Sequence, residues 1–324
     1  MGDKKTNIAD LMRQALPWTA VELTDAASVP TGDMPGDKVQ IGPEHIDKSR
    51  IIFPRLLDLL IPVVSASPYQ RATVAVCGGS GVGKSEIASL LSFYLNRLGV
   101  GAYTLSGDNY PHRIPQYNDA ERLRVFRKSG LIGLIAYGQY QQDRWPLLKA
   151  LQVAGDDANP ARVKQLPWLA LYQQCGRNGL QNYLGTPNEI DFAELSAIVS
   201  QFHNGADTIF LKRMGREETE LYYQPVDFAA KHVLVIEWTH GNNRNLQGVD
   251  TPILLNSTPQ ETLAHRRSRH RDGGTDSAFT TMVLAIEQEL LVSQAAQAKL
   301  ILSKRGEVLS YGEFMRRMQE QNGQ

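Results

Sequence analysis

Residues 72–85 read Ala-Thr-Val-Ala-Val-Cys-Gly-Gly-Ser-Gly-Val-Gly-Lys-Ser, and few stretches restrict a fold as much. The apolar, β-branched run Thr73, Val74, Val76 predicts a strand buried on both faces. It breaks into a glycine loop, Gly78-Gly79-Ser80-Gly81-Val82-Gly83, followed by Lys84-Ser85 and a helical pattern from Glu86 to about Leu98. Strand, G-x-x-x-x-G-K-S loop and helix in that order make a phosphate-binding loop. The glycines let backbone N–H groups turn inward around a phosphate, and the helix N-terminus adds partial positive charge. The expected cradle is Gly79, Ser80, Gly81, Val82, Gly83, Lys84, Ser85 and Glu86. Lys84 reaches the β- and γ-phosphates of a nucleoside triphosphate, and Ser85 is a candidate Mg²⁺ ligand.

The rest of the chain alternates strands and helices, which predicts an α/β fold of the P-loop NTPase kind: a mostly parallel sheet flanked by helices. Strands are expected at 102–105, 208–211, 221–223, 232–238, 251–256 and 299–303, with a turn or edge strand at 307–309. Helices are expected at 7–16, 192–202 and 280–298. The apolar spacing over 43–65 predicts a further helix that Pro54 and Pro62 kink or split. Residues 119–185 look helical, with breaks at Gly130, Gly155, Pro160, Pro167 and Gly176. Thr258-Pro259-Gln260-Glu261 has the form of a capping box.

The 324 residues suffice for one or two domains. The expected organisation is an N-terminal helical extension over 1–68, a P-loop core over 69–118 and 186–324, and a helical insertion over 119–185. That insertion is expected to cover an acceptor site or to form a homodimer interface. Lysine plus arginine equal aspartate plus glutamate at 34 each, which disfavours a broad nucleic-acid or acidic-membrane surface. Two cysteines, no apolar signal core and no bilayer-length run fit a cytoplasmic protein that does not engage a membrane.

Three further stretches carry chemistry. Asp108 lies in Ser106-Gly107-Asp108-Asn109-Tyr110 at the carboxyl end of the second strand, where open parallel sheets bind ligands. It reads as the base that takes a proton from an acceptor hydroxyl, or as an Asx-turn aspartate. Glu237 ends the buried run His232–Trp238 and reads as a Walker-B-like acid beside Mg²⁺, or as half of an ion pair. His240 is either a ligand contact or a locally satisfied loop histidine. Arg266, Arg267, Arg269 and Arg271 lie in the basic stretch 264–274, which ends in Gly273-Gly274. They suit a lid over the transferred phosphoryl group, or a solvated helix face.

In this order, Gly-Gly-Ser-Gly-Val-Gly-Lys-Ser, Gly-Asp-Asn-Tyr, Val-Ile-Glu-Trp-Thr-His-Gly and Arg-Arg-Ser-Arg-His-Arg-Asp, the sequence resembles the phosphoribulokinase/uridine kinase family. The resemblance implies an ATP- and Mg²⁺-dependent kinase acting on a hydroxyl of a small metabolite: a nucleoside, a sugar phosphate or a pantothenate-like acceptor. It implies Asp108 as base, Glu237 as the acid on the metal side, and Arg266, Arg267 and Arg271 in the lid. Residues 186–192 resemble the family's acceptor-side His-Pro-Asp-Ala-Phe-Asp through Pro187 and Asp191, while Trp238 stands where the family has glycine. Leu105–Asn109 with His112 is also similar to the signature of adenylylsulfate kinases, with Pro111 in place of their arginine and Arg113 nearby. Tyr110, His112, Arg113, Asp191 and His240 therefore join Asp108 as candidate acceptor contacts. A GTPase would carry Asn-Lys-x-Asp and a transporter ATPase Leu-Ser-Gly-Gly-Gln, and neither is present. A nucleotide sensor without turnover would keep Lys84 and dispense with Asp108.

Overall fold

A computed structural model describes residues 7–19, 23, 29–36, 39–258, 261–262 and 277–322. The chain divides into two compact units. The first is Met1–Tyr110, Asp191–Ser257 and Leu291–Gln324, and the second is Pro111–Ile190 and Thr258–Leu290.

The first unit is built on the strand that the phosphate loop follows. β1 (Ala72–Gly78) is buried along its whole length, as a strand covered on both faces must be. It pairs in parallel with β5 (Val233–Glu237) on one side and β6 (Thr251–Leu255) on the other. β2 (Ala102–Ser106) extends the sheet beyond β5, and β7 (Leu300–Leu302) extends it beyond β6, both in parallel. β8 (Val308–Leu309) closes that end antiparallel, giving the order β2-β5-β1-β6-β7-β8. The α/β fold with a mostly parallel sheet is therefore as the sequence predicts.

The helix after the phosphate loop, Lys84–Arg97, packs Ile87, Leu90, Leu91 and Tyr94 into one apolar cluster with β1 and with Ile52, Phe53, Leu56, Leu60 and Val64. Those five belong to a single helix, Pro43–Ala66, with Pro54 and Pro62 inside it. Of the two expectations, a kink or a split, the split does not occur. A proline in a helix costs about 3 kcal/mol, and the face buried against the sheet outweighs that local cost here.

β3 (Thr208–Met214) and β4 (Leu221–Asp227) form a separate antiparallel hairpin, in register from Thr208↔Asp227 to Met214↔Leu221. Both strands run several residues beyond their predicted ends. Pro225 sits in β4, on the edge strand where a missing N–H is tolerated.

The second unit pairs the helices Pro115–Ala136 and Leu169–Gln181. The breaks expected at Gly130 and Gly176 are absent, because both glycines lie inside continuous helices. Their role is close approach: a Cβ at Gly130 would lie 2.6 Å from the Tyr172 ring, and one at Gly176 would lie 2.6 Å from Phe126. Gly155, by contrast, follows the helix Trp145–Val153 at φ +67°, and Pro160 opens a short 3₁₀ turn. The capping box at Thr258 is present: Glu261 accepts from Thr258 N at 2.8 Å, and Thr258 Oγ1 accepts from Glu261 N at 3.2 Å. No helix among the described residues is long and apolar enough to cross a membrane.

Candidate active site

β1 hands over to the loop at Gly78, whose φ is +150° and whose added Cβ would lie 2.5 Å from Leu255 O. Gly83, at φ +95°, precedes the helix, and a Cβ there would meet the His45 ring at 2.9 Å. Neither position accepts a side chain, which accounts for the glycines locally. Lys84 Nζ donates to Gly79 O at 3.2 Å, so the ammonium lies across the loop it would share with phosphates. The Glu86 side chain is fully buried, which leaves its backbone N–H as the group to face a ligand.

The parallel register aligns Val76 with Glu237 and Ser106 with Glu237. The Glu237 carboxylate consequently joins two elements: Ser85 Oγ donates to Oε2 at 3.1 Å, and Ser106 Oγ donates to Oε1 at 2.6 Å. Burial pushes the Glu237 carboxyl up to about 8, with the Asp108 carboxylate adding to the rise and Lys84, Ser106 and Ser85 opposing it. Asp108 is exposed in the turn Gly107–Asn109. The structure thus brings Lys84, Ser85, Glu237 and Asp108 to one end of the sheet.

The other predicted residues are placed differently. Tyr110 is fully buried, with its ring 5.9 Å from Lys212 Nζ. Asp191 caps the helix Phe192–His203: its Oδ1 accepts from Glu194 N at 2.9 Å, and its own N–H donates to Tyr110 O at 2.9 Å. His240 is buried against Trp238, with ring centroids 5.2 Å apart. His112 and Arg113 belong to the second unit, where His112 Nε2 lies 2.9 Å from Pro187 O and Arg113 Nη1 donates to Tyr183 at 3.1 Å. Arg266, Arg267, Arg269 and Arg271 lie outside the described residues.

Sequence reasoning missed Ser106, Asp33 and Arg213. Ser106 was findable as a hydroxyl at the carboxyl end of a strand, the same sheet edge at which Glu237 ends its own strand. Asp33 sits among Gly32, Pro35 and Gly36, where an aspartate reads as an ordinary turn residue.

Ser85 and Glu237 offer a hydroxyl and a carboxylate oxygen beside a phosphate-binding loop, a donor set that fits Mg²⁺, which takes one or two protein oxygens and keeps waters and phosphate oxygens. No group of three or more His, Cys, Asp or Glu among the described residues could hold a metal by itself.

The glycine loop between β1 and its helix, the parallel sheet and the Ser85–Glu237 pair define a P-loop α/β protein. No protein-family model matches the chain. Over 238 residues, 74% of its length, it is 37% identical to a bifunctional alpha-galactosidase/sucrose kinase from Mediterraneibacter gnavus, and it spans 20% of that protein. Among solved structures it is similar to a phosphoribulokinase from Rhodobacter spheroides, at 16% identity and TM-score 0.43, covering 72% of this chain and 70% of that one. It is likewise similar to a D-glycerate 3-kinase from Cryptococcus neoformans, at 12% identity and TM-score 0.43, covering 83% and 99%.

Proposed function

We propose that the chain is an ATP-dependent kinase that moves the γ-phosphoryl group to a hydroxyl of a small carbohydrate. The observation that carries this reading is the Glu237 carboxylate, hydrogen-bonded to the phosphate-loop serine on one side and to the end of the Asp108 strand on the other. That arrangement puts a phosphate site, a metal-side acid and a second carboxylate within one cluster, as phosphoryl transfer requires. Sucrose kinase in the name of the M. gnavus relative supports a sugar acceptor. Galactoside hydrolysis needs no nucleotide, so the phosphate loop associates the shared stretch with the kinase activity in that name.

The backbone N–H groups of 79–86 and the Lys84 ammonium hold the triphosphate and take up its negative charge. Ser85 and Glu237 would hold Mg²⁺, which would supply positive charge to offset that of the triphosphate. Asp108 accepts the acceptor's hydroxyl proton as the new O–P bond forms and the bond to the β-phosphate oxygen breaks, so that ADP leaves with that electron pair. Arg267 and Arg271 neutralise charge on the transferred group and help to exclude water.

The test is ADP release from ATP·Mg²⁺ across sucrose, fructose, glucose, uridine, ribulose 5-phosphate, pantothenate and adenylylsulfate, with Asp108→Asn in parallel. Release that depends on a sugar and falls about 10²- to 10⁴-fold in the variant, with ATP binding kept, is the expected result. Release stimulated by adenylylsulfate alone would replace the sugar reading with the adenylylsulfate kinase reading. ATP binding without acceptor-dependent release would leave a nucleotide sensor.

A further inference from the structure

We propose that Asp33, from the segment that precedes the P-loop core, is a positioning residue for the Asp108 turn. This rests on the kinase reading, in which Asp108 works on the acceptor hydroxyl. The Asp33 side chain is 9% exposed, yet it is a carboxylate in a glycine- and proline-rich stretch with no other evident task.

Its Oδ1 accepts from Ser106 N at 2.7 Å and from Asn109 Nδ2 at 3.2 Å. Ser106 and Asn109 are the residues that bracket Gly107-Asp108, so one oxygen fixes both ends of the turn. Asn109 adds two bonds of its own: Nδ2 donates to Ser106 O at 3.3 Å, and Oδ1 accepts from Met214 N at 2.9 Å. The turn is thereby tied to the end of β3 as well.

Asp33 Oδ2 faces the other way. It accepts from Tyr103 Oη at 3.0 Å and from Arg213 Nη1 at 2.8 Å, while Arg213 Nη2 donates to Tyr103 Oη at 2.9 Å. The Arg213 side chain is 4% exposed, and its Nε donates to Gln224 Oε1 at 3.3 Å. A guanidinium so enclosed holds its carboxylate partner in one geometry, because five fixed donors leave little room for another. At the next residue toward the N-terminus, Gly32, an added Cβ would lie 3.7 Å from Thr104 Cγ2 and 4.0 Å from Glu237 Cγ. The segment therefore lies along the same strand ends as the phosphate-side residues while touching neither Lys84 nor Ser85 in any of these bonds.

A residue that fixes a catalytic group without meeting substrate acts on turnover. Displacing a reacting group by about 1 Å costs on the order of 100-fold. In Asp33→Asn a single oxygen remains, so the Ser106–Asn109 pair and the Arg213–Tyr103 pair can no longer both be satisfied.

Two readouts on the full chain test the assignment. Hydrogen exchange is followed in peptides covering 106–110 and 78–86, and kcat and KM for ATP are measured with the best acceptor. In Asp33→Asn, exchange should speed up at 106–110 and not at 78–86. kcat should fall about 10-fold or more while KM for ATP stays within about 2-fold. Unchanged exchange at 106–110, exchange raised equally in both peptides, or faster exchange at 106–110 with unchanged kcat would each overturn it. If the wild-type chain turns over no acceptor, the kinase reading fails by itself. The exchange pattern then decides separately whether Asp33 holds the turn.

Discussion

Glu237 is an acid whose ionisation the fold opposes. Its burial, helped by the Asp108 carboxylate, pushes it up to about 8 from an ordinary value of 4.5. Between those values the folded chain binds one proton more than the unfolded chain, so unfolding releases a proton and stability falls as pH rises. The protonated form's advantage is complete below the unfolded value and gone once pH passes the folded one. Without metal or nucleotide, wild type should therefore lose thermal stability relative to Glu237→Gln as pH rises from about 5 to 8. Parallel melting curves for the two proteins over that range would show that Glu237 is ionised throughout. Mg²⁺ with a nucleotide favours the carboxylate, so binding near neutral pH should release protons, read as a buffer-dependent heat that Glu237→Gln reduces. Cys77 lies at the other extreme of use. Burial pushes its thiol up to about 12, and its Sγ donates to Ile253 O at 3.3 Å. It is a filler between β1 and β6 and not a reactive thiol.

At the scale of elements, the end of β5 explains how a tryptophan is accommodated directly after Glu237. Trp238 N donates to Val76 O at 3.0 Å, so the indole enters the core directly after Glu237, packing on Phe192 at 5.4 Å and His240 at 5.2 Å. The space it takes is the space Gly107 leaves: a Cβ on Gly107 would lie 2.1 Å from Trp238 Cγ. The bulky residue on one strand end is thus matched by the absent side chain on the next. Gly107→Ala should destabilise by about 1–3 kcal/mol through overpacking and lower kcat by shifting Asp108. In a Trp238→Leu background the added cost should shrink by at least about 0.5 kcal/mol, the coupling expected of residues in contact, and strict additivity in the double-mutant cycle would refute it. The same contrast describes what the sequence could convey. The phosphate loop, the buried strands and the strand-end acids each follow from one short stretch and were legible. The unsplit helix Pro43–Ala66 and the unbroken helices at Gly130 and Gly176 were not, because each local break signal is overruled by a partner distant in sequence. Asp33 was illegible for the same reason, since its four donors come from residues 103–109 and 213.

At the scale of the molecule, each unit combines apolar clusters with a buried ion pair. In the second unit the pair is built on Glu189. Glu189 is fully buried, and its carboxylate accepts from Arg122 Nε at 2.6 Å, Asn118 Nδ2 at 3.1 Å and Gly185 N at 2.7 Å. Arg122 also lies 3.7 Å from Glu287. Burial works against the Arg122 charge, and the two glutamates outweigh it, holding the guanidinium above its ordinary range. These bonds tie the helix Pro115–Ala136 to the stretch 185–189 and to the helix Ala278–Gln294 within the unit. A buried pair adds little over apolar side chains of the same size, but removing one member strands the other. Glu189→Ala should therefore cost about 3–5 kcal/mol, whereas Arg122→Met with Glu189→Leu should recover most of that loss. Denaturant unfolding gives the energies, and hydrogen exchange across 111–190 locates them. A Glu189→Ala cost below about 1 kcal/mol would mean that water replaces the carboxylate and that the unit is held by its glycine-closed helix pair alone.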